Sequence, residues 1–210
     1  IIYKNFNLFG EFARSQSSRV ASLSALQISL TKFADVIFLY RNYPEDFSPV
    51  HSFGFGENNG NTYNENGFYA GLSLKPFRNF SFETYFDQFK FPYRTYYNPV
   101  PTTGNDFLMN AEYKVSKGFL LYMKYRNKNK EEPRTVTDEF SREVQKIDNH
   151  SQTNVRVGFD YDISGTFRVR TRYEYVMVKY DNLGGNNKGF LFFTDLKAFV
   201  LKNLSVSTRF

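Results

Sequence analysis

The chain has 210 residues, a formal net charge of +6 and no cysteine, which excludes disulfides, thiol catalysis and cysteine-ligated zinc. No apolar run approaches about 18 residues, so no segment can cross a membrane as a helix, and the mean hydropathy is −0.52. Yet aromatic residues make up 20% of the chain, with 25 Phe and 16 Tyr. Such an excess suits either a lipid-facing wall with aromatic girdles or an aromatic-rich soluble sandwich, and the patterning separates the two.

Eleven strands are predicted. Residues 2–14 form the first, its apolar side running through Ile2, Phe6, Leu8 and Phe12, and residues 20–30 the second. The third, 34–43, sets Val36, Phe38 and Tyr40 against Asp35 and Arg41. The fourth, 67–75, sets Phe68, Ala70, Leu72 and Leu74 against Tyr69, Gly71 and Ser73. The fifth, 80–91, sets Phe80, Phe82, Thr84 and Phe86 against Ser81, Glu83, Tyr85 and Asp87. The sixth and seventh, 107–115 and 119–127, oppose Phe107, Met109, Leu121 and Met123 to Asn110, Glu112, Lys124 and Arg126. The eighth, 153–163, alternates most plainly. Val155, Val157, Phe159, Tyr161 and Ile163 point one way, and Asn154, Arg156, Gly158, Asp160 and Asp162 the other. The ninth, 167–180, opposes Val169, Tyr173 and Tyr175 to Arg168, Arg170, Arg172 and Glu174; residues 189–200 and 204–210 complete the set. A period of two marks a strand with two unlike faces.

Connections alternate in length. Residues 31–33, 76–79, 116–118, 164–166 and 201–203 are short turns, whereas 44–66, 92–106, 128–152 and 181–188 are long and polar. Long loops on one side and short turns on the other suit extracellular loops and periplasmic turns. The expectation is an all-β, transmembrane, antiparallel up-and-down β-barrel in the bacterial outer membrane, apolar toward lipid and polar toward the lumen. Odd-numbered strands then run outward, and the eleventh ends at Phe210 outside. A terminal Phe of the assembly-signal kind lies on the periplasmic side, and single-chain bacterial barrels have an even strand count. Residues 1–210 are therefore expected to be one barrel domain that is a fragment of a larger barrel, cut at both ends.

The stretches FGEFARS (9–15), LYRNY (39–43), NENGFYAGLSLKP (64–76), FETYFDQFKFPYR (82–94) and GFLFFTDL (189–196) resemble a family of Bacteroidetes outer-membrane proteins. Members of that family carry helix-hairpin-helix segments, similar to the competence protein ComEA, ahead of a C-terminal barrel. The resemblance covers nearly the whole chain and implies the barrel part alone. The helix-hairpin-helix region, the part that suggests DNA, has no counterpart here, so the segment gives no support for nucleic-acid binding.

The most functional-looking cluster is basic. Lys124, Arg126, Arg156, Arg168, Arg170 and Arg172 are expected to line the lumen, with Glu83, Asp87, Asp160, Asp162 and Glu174 as its acidic residues. Rings of Arg and Lys select anions in pores, while a wall of paired charges merely hydrates and stiffens the interior. Glu83 and Asp87 stand four residues apart on one strand, about 13 Å, too far for a carboxylate pair. His51 and His150 fall in predicted loops without a metal-like partner at short spacing, and no nucleophile–base arrangement is visible, so neither an enzyme nor a metal or other cofactor is expected. FGFGENNGN (53–61) lacks the Lys-Ser/Thr of a phosphate loop and reads as a flexible extracellular loop. Tyr93, Tyr96 and Tyr97 among Pro92, Pro99 and Pro101 read as a stiffened aromatic loop. Two functions follow: a pore or transport barrel with a charged lumen, or a non-conducting barrel that anchors a complex for secretion, assembly or DNA uptake. Expected partners are outer-membrane lipid and, in the second case, other outer-membrane or periplasmic proteins.

Overall fold

The computed structural model describes residues 1–15, 18–47, 54–58, 61–95, 98–163, 165–182, 184–201 and 204–210. Their strands are β1 (Ile2–Tyr3), β2 (Phe6–Arg14), β3 (Val20–Thr31), β4 (Ala34–Tyr43), β5 (Glu65–Phe77), β6 (Phe80–Phe91), β7 (Thr102–Ser116), β8 (Phe119–Thr137), β9 (Glu143–Ile163), β10 (Phe167–Tyr180), β11 (Asn187–Leu201) and β12 (Leu204–Arg209). Each pairs antiparallel with the next in a single sheet ordered β1 to β12. No helix occurs among the described residues. The architecture is an all-β up-and-down meander.

Twelve strands replace the expected eleven. The predicted first strand breaks at Lys4, whose φ is 52°, and β1 folds back so that Ile2 faces Asn7 and Tyr3 faces Phe6. Neither Gly nor Pro marks this turn, and the alternation runs straight through it, so the pattern alone reads one strand. Closure also differs from expectation. Among the described residues β1 pairs only with β2 and β12 only with β11, which leaves an open sheet with two edges instead of a closed barrel.

The third difference is length. The predicted loop 128–152 is mostly strand: β8 and β9 remain paired from Lys128↔Gln152 out to Thr137↔Glu143, and only the tip turns. Similarly, β7 begins at Thr102, inside the predicted loop 92–106, and β5 at Glu65, inside 44–66. These extensions are polar on both faces, so hydrophobic alternation fades there while backbone pairing continues. A rise of about 3.4 Å per residue carries β8 and β9 far past the 9–11 residues that a tilted spanning strand needs.

The two faces are unlike along most of the sheet. Val36, Phe38, Phe68, Leu72, Phe86, Met109, Met123, Val157 and Tyr173 share one face through the cross-strand register. No second layer covers it among the described residues: Phe68 is 45% exposed, Met123 50% and Phe190 69%. Ring pairs such as Phe38–Phe68 at 6.3 Å and Phe119–Phe159 at 5.9 Å tie neighbouring strands on this side. The opposite face carries Arg41, Asp87, Asp106, Arg126, Arg156 and Arg170, and the most deeply buried side chains of the molecule are here. The polar face is therefore the more crowded of the two.

Candidate functional site

The polar face is built around Arg41 on β4. Its direct partner across β5 is Gly67, and beyond Gly67 lies Phe89 on β6. With no side chain in the way, the guanidinium passes over Gly67 and reaches Asp87 on β6 through Nη1 at 2.8 Å and Nη2 at 3.1 Å, while Nε donates to Glu65 at 2.6 Å. A Cβ at Gly67 would overlap the guanidinium carbon. Arg41 and Glu65 are fully buried and Asp87 is 3% exposed. Buried charges are tolerated only when paired and hydrogen-bonded, and here both carboxylates share one bidentate-capable cation.

A segment of the β4–β5 connection covers this cluster. The backbone N–H groups of Glu57 and Asn58 donate to Glu65 at 2.9 and 3.0 Å. Phe55 lies 5.2 Å over the Arg41 guanidinium and meets Tyr69 edge-on at 5.4 Å. Tyr43 donates to the Phe55 carbonyl at 3.0 Å, and Glu57 pairs with Lys128 on β8. Residues 54–58, expected as a flexible outer loop, therefore lie on the polar face and reach from β4 to β8. Tyr85 extends the contact at 5.2 Å from Tyr69 and donates to Asp106, which Arg126 also engages.

The other half of the face is a ladder of ion pairs between neighbouring strands. Arg156 pairs with Glu174 at 2.9 Å, Arg168 with Asp162 at 2.8 Å, Arg170 with Asp160 at 3.1 Å and Arg209 with Asp195 at 2.5 Å. Arg172 differs: it faces Gly158 and Phe193, sits 5.1 Å over the Phe193 ring, and its buried Nε makes no hydrogen bond among the described residues. Gly158 leaves no free space, because the Tyr122 ring lies across it, an aromatic covering a strand glycine.

All six basic and all five acidic residues predicted as a set thus lie on one face. The structure pairs Arg126, Arg156, Arg168, Arg170, Asp87, Asp160, Asp162 and Glu174; among the described residues Lys124, Arg172 and Glu83 have no ion-pair partner. Sequence reasoning missed Glu65, Asp106, Lys128 and Asp148, all of them in predicted loops. Asp148 is buried and accepts from the Asn182 backbone at 3.0 Å, tying the β10–β11 connection to β9. His150, also expected in a loop, lies in β9, stacked 5.0 Å from Tyr180 and 3.5 Å from Glu132. His51, Tyr96 and Tyr97 lie outside the described residues. Compared with known proteins, the sequence matches no family model and no curated protein.

Proposed function

We propose that this chain is wall material of an outer-membrane β-barrel acting as a pore or transport component. One observation carries the reading: a long antiparallel meander has one uncovered apolar face and one face crowded with paired charges. Water on both sides would penalise the first face, since exposed apolar patches of that extent mark an interface or a membrane. Lipid on one side and an aqueous interior on the other would suit both. The resemblance to the Bacteroidetes outer-membrane family supports the same setting, with outer-membrane lipid as the surrounding partner. In lipid the free edges of β1 and β12 need pairing, either with each other or with further strands. The reading is tested with full-length protein in planar bilayers: discrete conductance steps support it, and their absence from correctly folded protein overturns the pore.

A second reading has its own observation. The segment 54–58 lies on the polar face from β4 to β8, which would narrow or fill the interior. A non-conducting barrel that anchors other outer-membrane or periplasmic proteins follows from that. Silent bilayers together with a stable co-purifying complex would establish it.

A further inference from the structure

We propose that the hollow between β4, β5 and β6, beside the Phe55 segment, binds a small organic cation of the amine class. This goes beyond the pore reading and does not require conduction. The hollow has a volume of about 340 Å³, within the range that holds small ligands. Its floor is Gly71 and Ser73, and a Cβ at Gly71 would come within 2.9 Å of the Tyr69 ring and 3.0 Å of Ile37. Glycine there lets Tyr69 lie down and keeps the floor clear.

Two walls are aromatic. Tyr69 and Tyr85 pack 5.2 Å apart, and both are held: Tyr69 by the edge of Phe55, Tyr85 by its hydrogen bond to Asp106. The remaining walls carry Asp35 and Glu83, which stand in one row across the sheet on either side of Ser73. Ser29 donates to one oxygen of Asp35 at 2.6 Å. Glu83 has neither an ion pair nor a hydrogen bond among the described residues, and no Lys, Arg or His lines the hollow. The neighbouring cations on this face are Lys75, two residues along β5 from Ser73, and Lys124, two strands beyond Glu83, and among the described residues neither forms an ion pair with Asp35 or Glu83.

The chemistry of the occupant follows. Uncompensated carboxylates favour a cation, and tyrosine faces attract one through their quadrupole. Asp35 and Glu83 are the two carboxylates that line the hollow, and no group of three or more His, Cys, Asp or Glu side chains able to hold a metal ion occurs among the described residues. An ammonium group on an apolar body matches: the charge meets the carboxylates and the methylenes lie on the rings. Glu83 is exposed, so a cation reaches it from the open side of the hollow, and a neutral sugar would gain nothing from its charge.

Isothermal titration of putrescine into full-length protein in detergent tests this, with gel heat-modifiability as the folding check. Saturable binding is expected, weakened about tenfold by Glu83→Gln and by Tyr85→Leu, retained in Tyr85→Phe, and unchanged in Asp162→Asn on β9. The site is overturned if folded protein shows no saturable binding, if affinity survives Glu83→Gln combined with Asp35→Asn, or if glucose binds as well as putrescine. Because no current is measured, a silent barrel in bilayers leaves this result standing.

Discussion

Arg41 balances two buried carboxylates, so its loss leaves Glu65 and Asp87 facing one another with no cation between them. Removing one partner of a buried pair costs about 3–5 kcal/mol, mostly as the penalty of the stranded charge. Arg41→Met should therefore lower the urea midpoint of the folded protein sharply, and Glu65→Gln with Asp87→Asn in the same chain should restore much of it. Gly67→Ala should act like a partial loss of Arg41, because the new methyl group occupies the path of the guanidinium. A urea series over these variants checks the order. Part of this cluster is legible in the sequence. Arg41 and Asp87 alternate onto the polar side by period alone. What period cannot supply is register: Arg41 reaches β6 only because Gly67, and no larger residue, stands opposite it on β5. Glu65 and Asp106 were hidden for another reason, since they lie where strands continue beyond their apolar stretch.

The same limit governs whole elements. Strand spans are easiest to read where both faces contrast, as in 153–163, and hardest where polar and charged residues occupy both faces, as along 128–152. Backbone pairing supplies order there, and it confines the segment outside the strands to the tight turn Asp138–Arg142. Asp138 closes this tip by accepting from the backbone N–H groups of Arg142 and Phe140, each at 2.9 Å, and from the Arg142 side chain. Trypsin added to intact cells should cut first after Arg142, ahead of Lys128, Lys130, Arg134 and Lys146, with fragments sized by mass spectrometry. Asp138→Ala should speed that cut. The Arg142 backbone and guanidinium donors also hold the Asp138 carboxyl below its ordinary 3.8. A carboxyl depressed in the folded tip contributes order above 3.8, and the contribution is lost as pH falls through the folded value. Amide protection at Phe140 and Arg142, corrected for intrinsic exchange, should hold near neutrality and drop only below about pH 3.8.

At the scale of the whole molecule the question is which medium meets each face. If lipid covers Val157 at mid-depth, Val157→Arg should cost about 2–4 kcal/mol in a folding titration. Asn110→Arg should be milder, since it points to the polar side opposite Glu83. Gly158 does not serve as that control: although on the polar face, a side chain there would meet the Tyr122 hydroxyl oxygen at 2.6 Å. Equal penalties at Val157 and Asn110 would remove the lipid wall.

Selectivity is the property that the whole polar face decides together. Unpaired, the arginines of β10 would make a pore prefer anions. Paired with Asp162 and Asp160, Arg168 and Arg170 present short dipoles whose fields cancel within a few ångströms. Among the described residues Arg172, alone of the three, has no ion pair with a carboxylate. The wild-type pore should then discriminate weakly. Replacing Arg168, Arg170 and Arg172 with Ser strands Asp160 and Asp162 and should move reversal potentials in a salt gradient toward cations. Replacing Arg168 together with Asp162, which removes a whole pair, should leave them nearly where they were. A large shift from the paired deletion would mean that the ladder does not cancel its own field and that each arginine acts on passing ions alone.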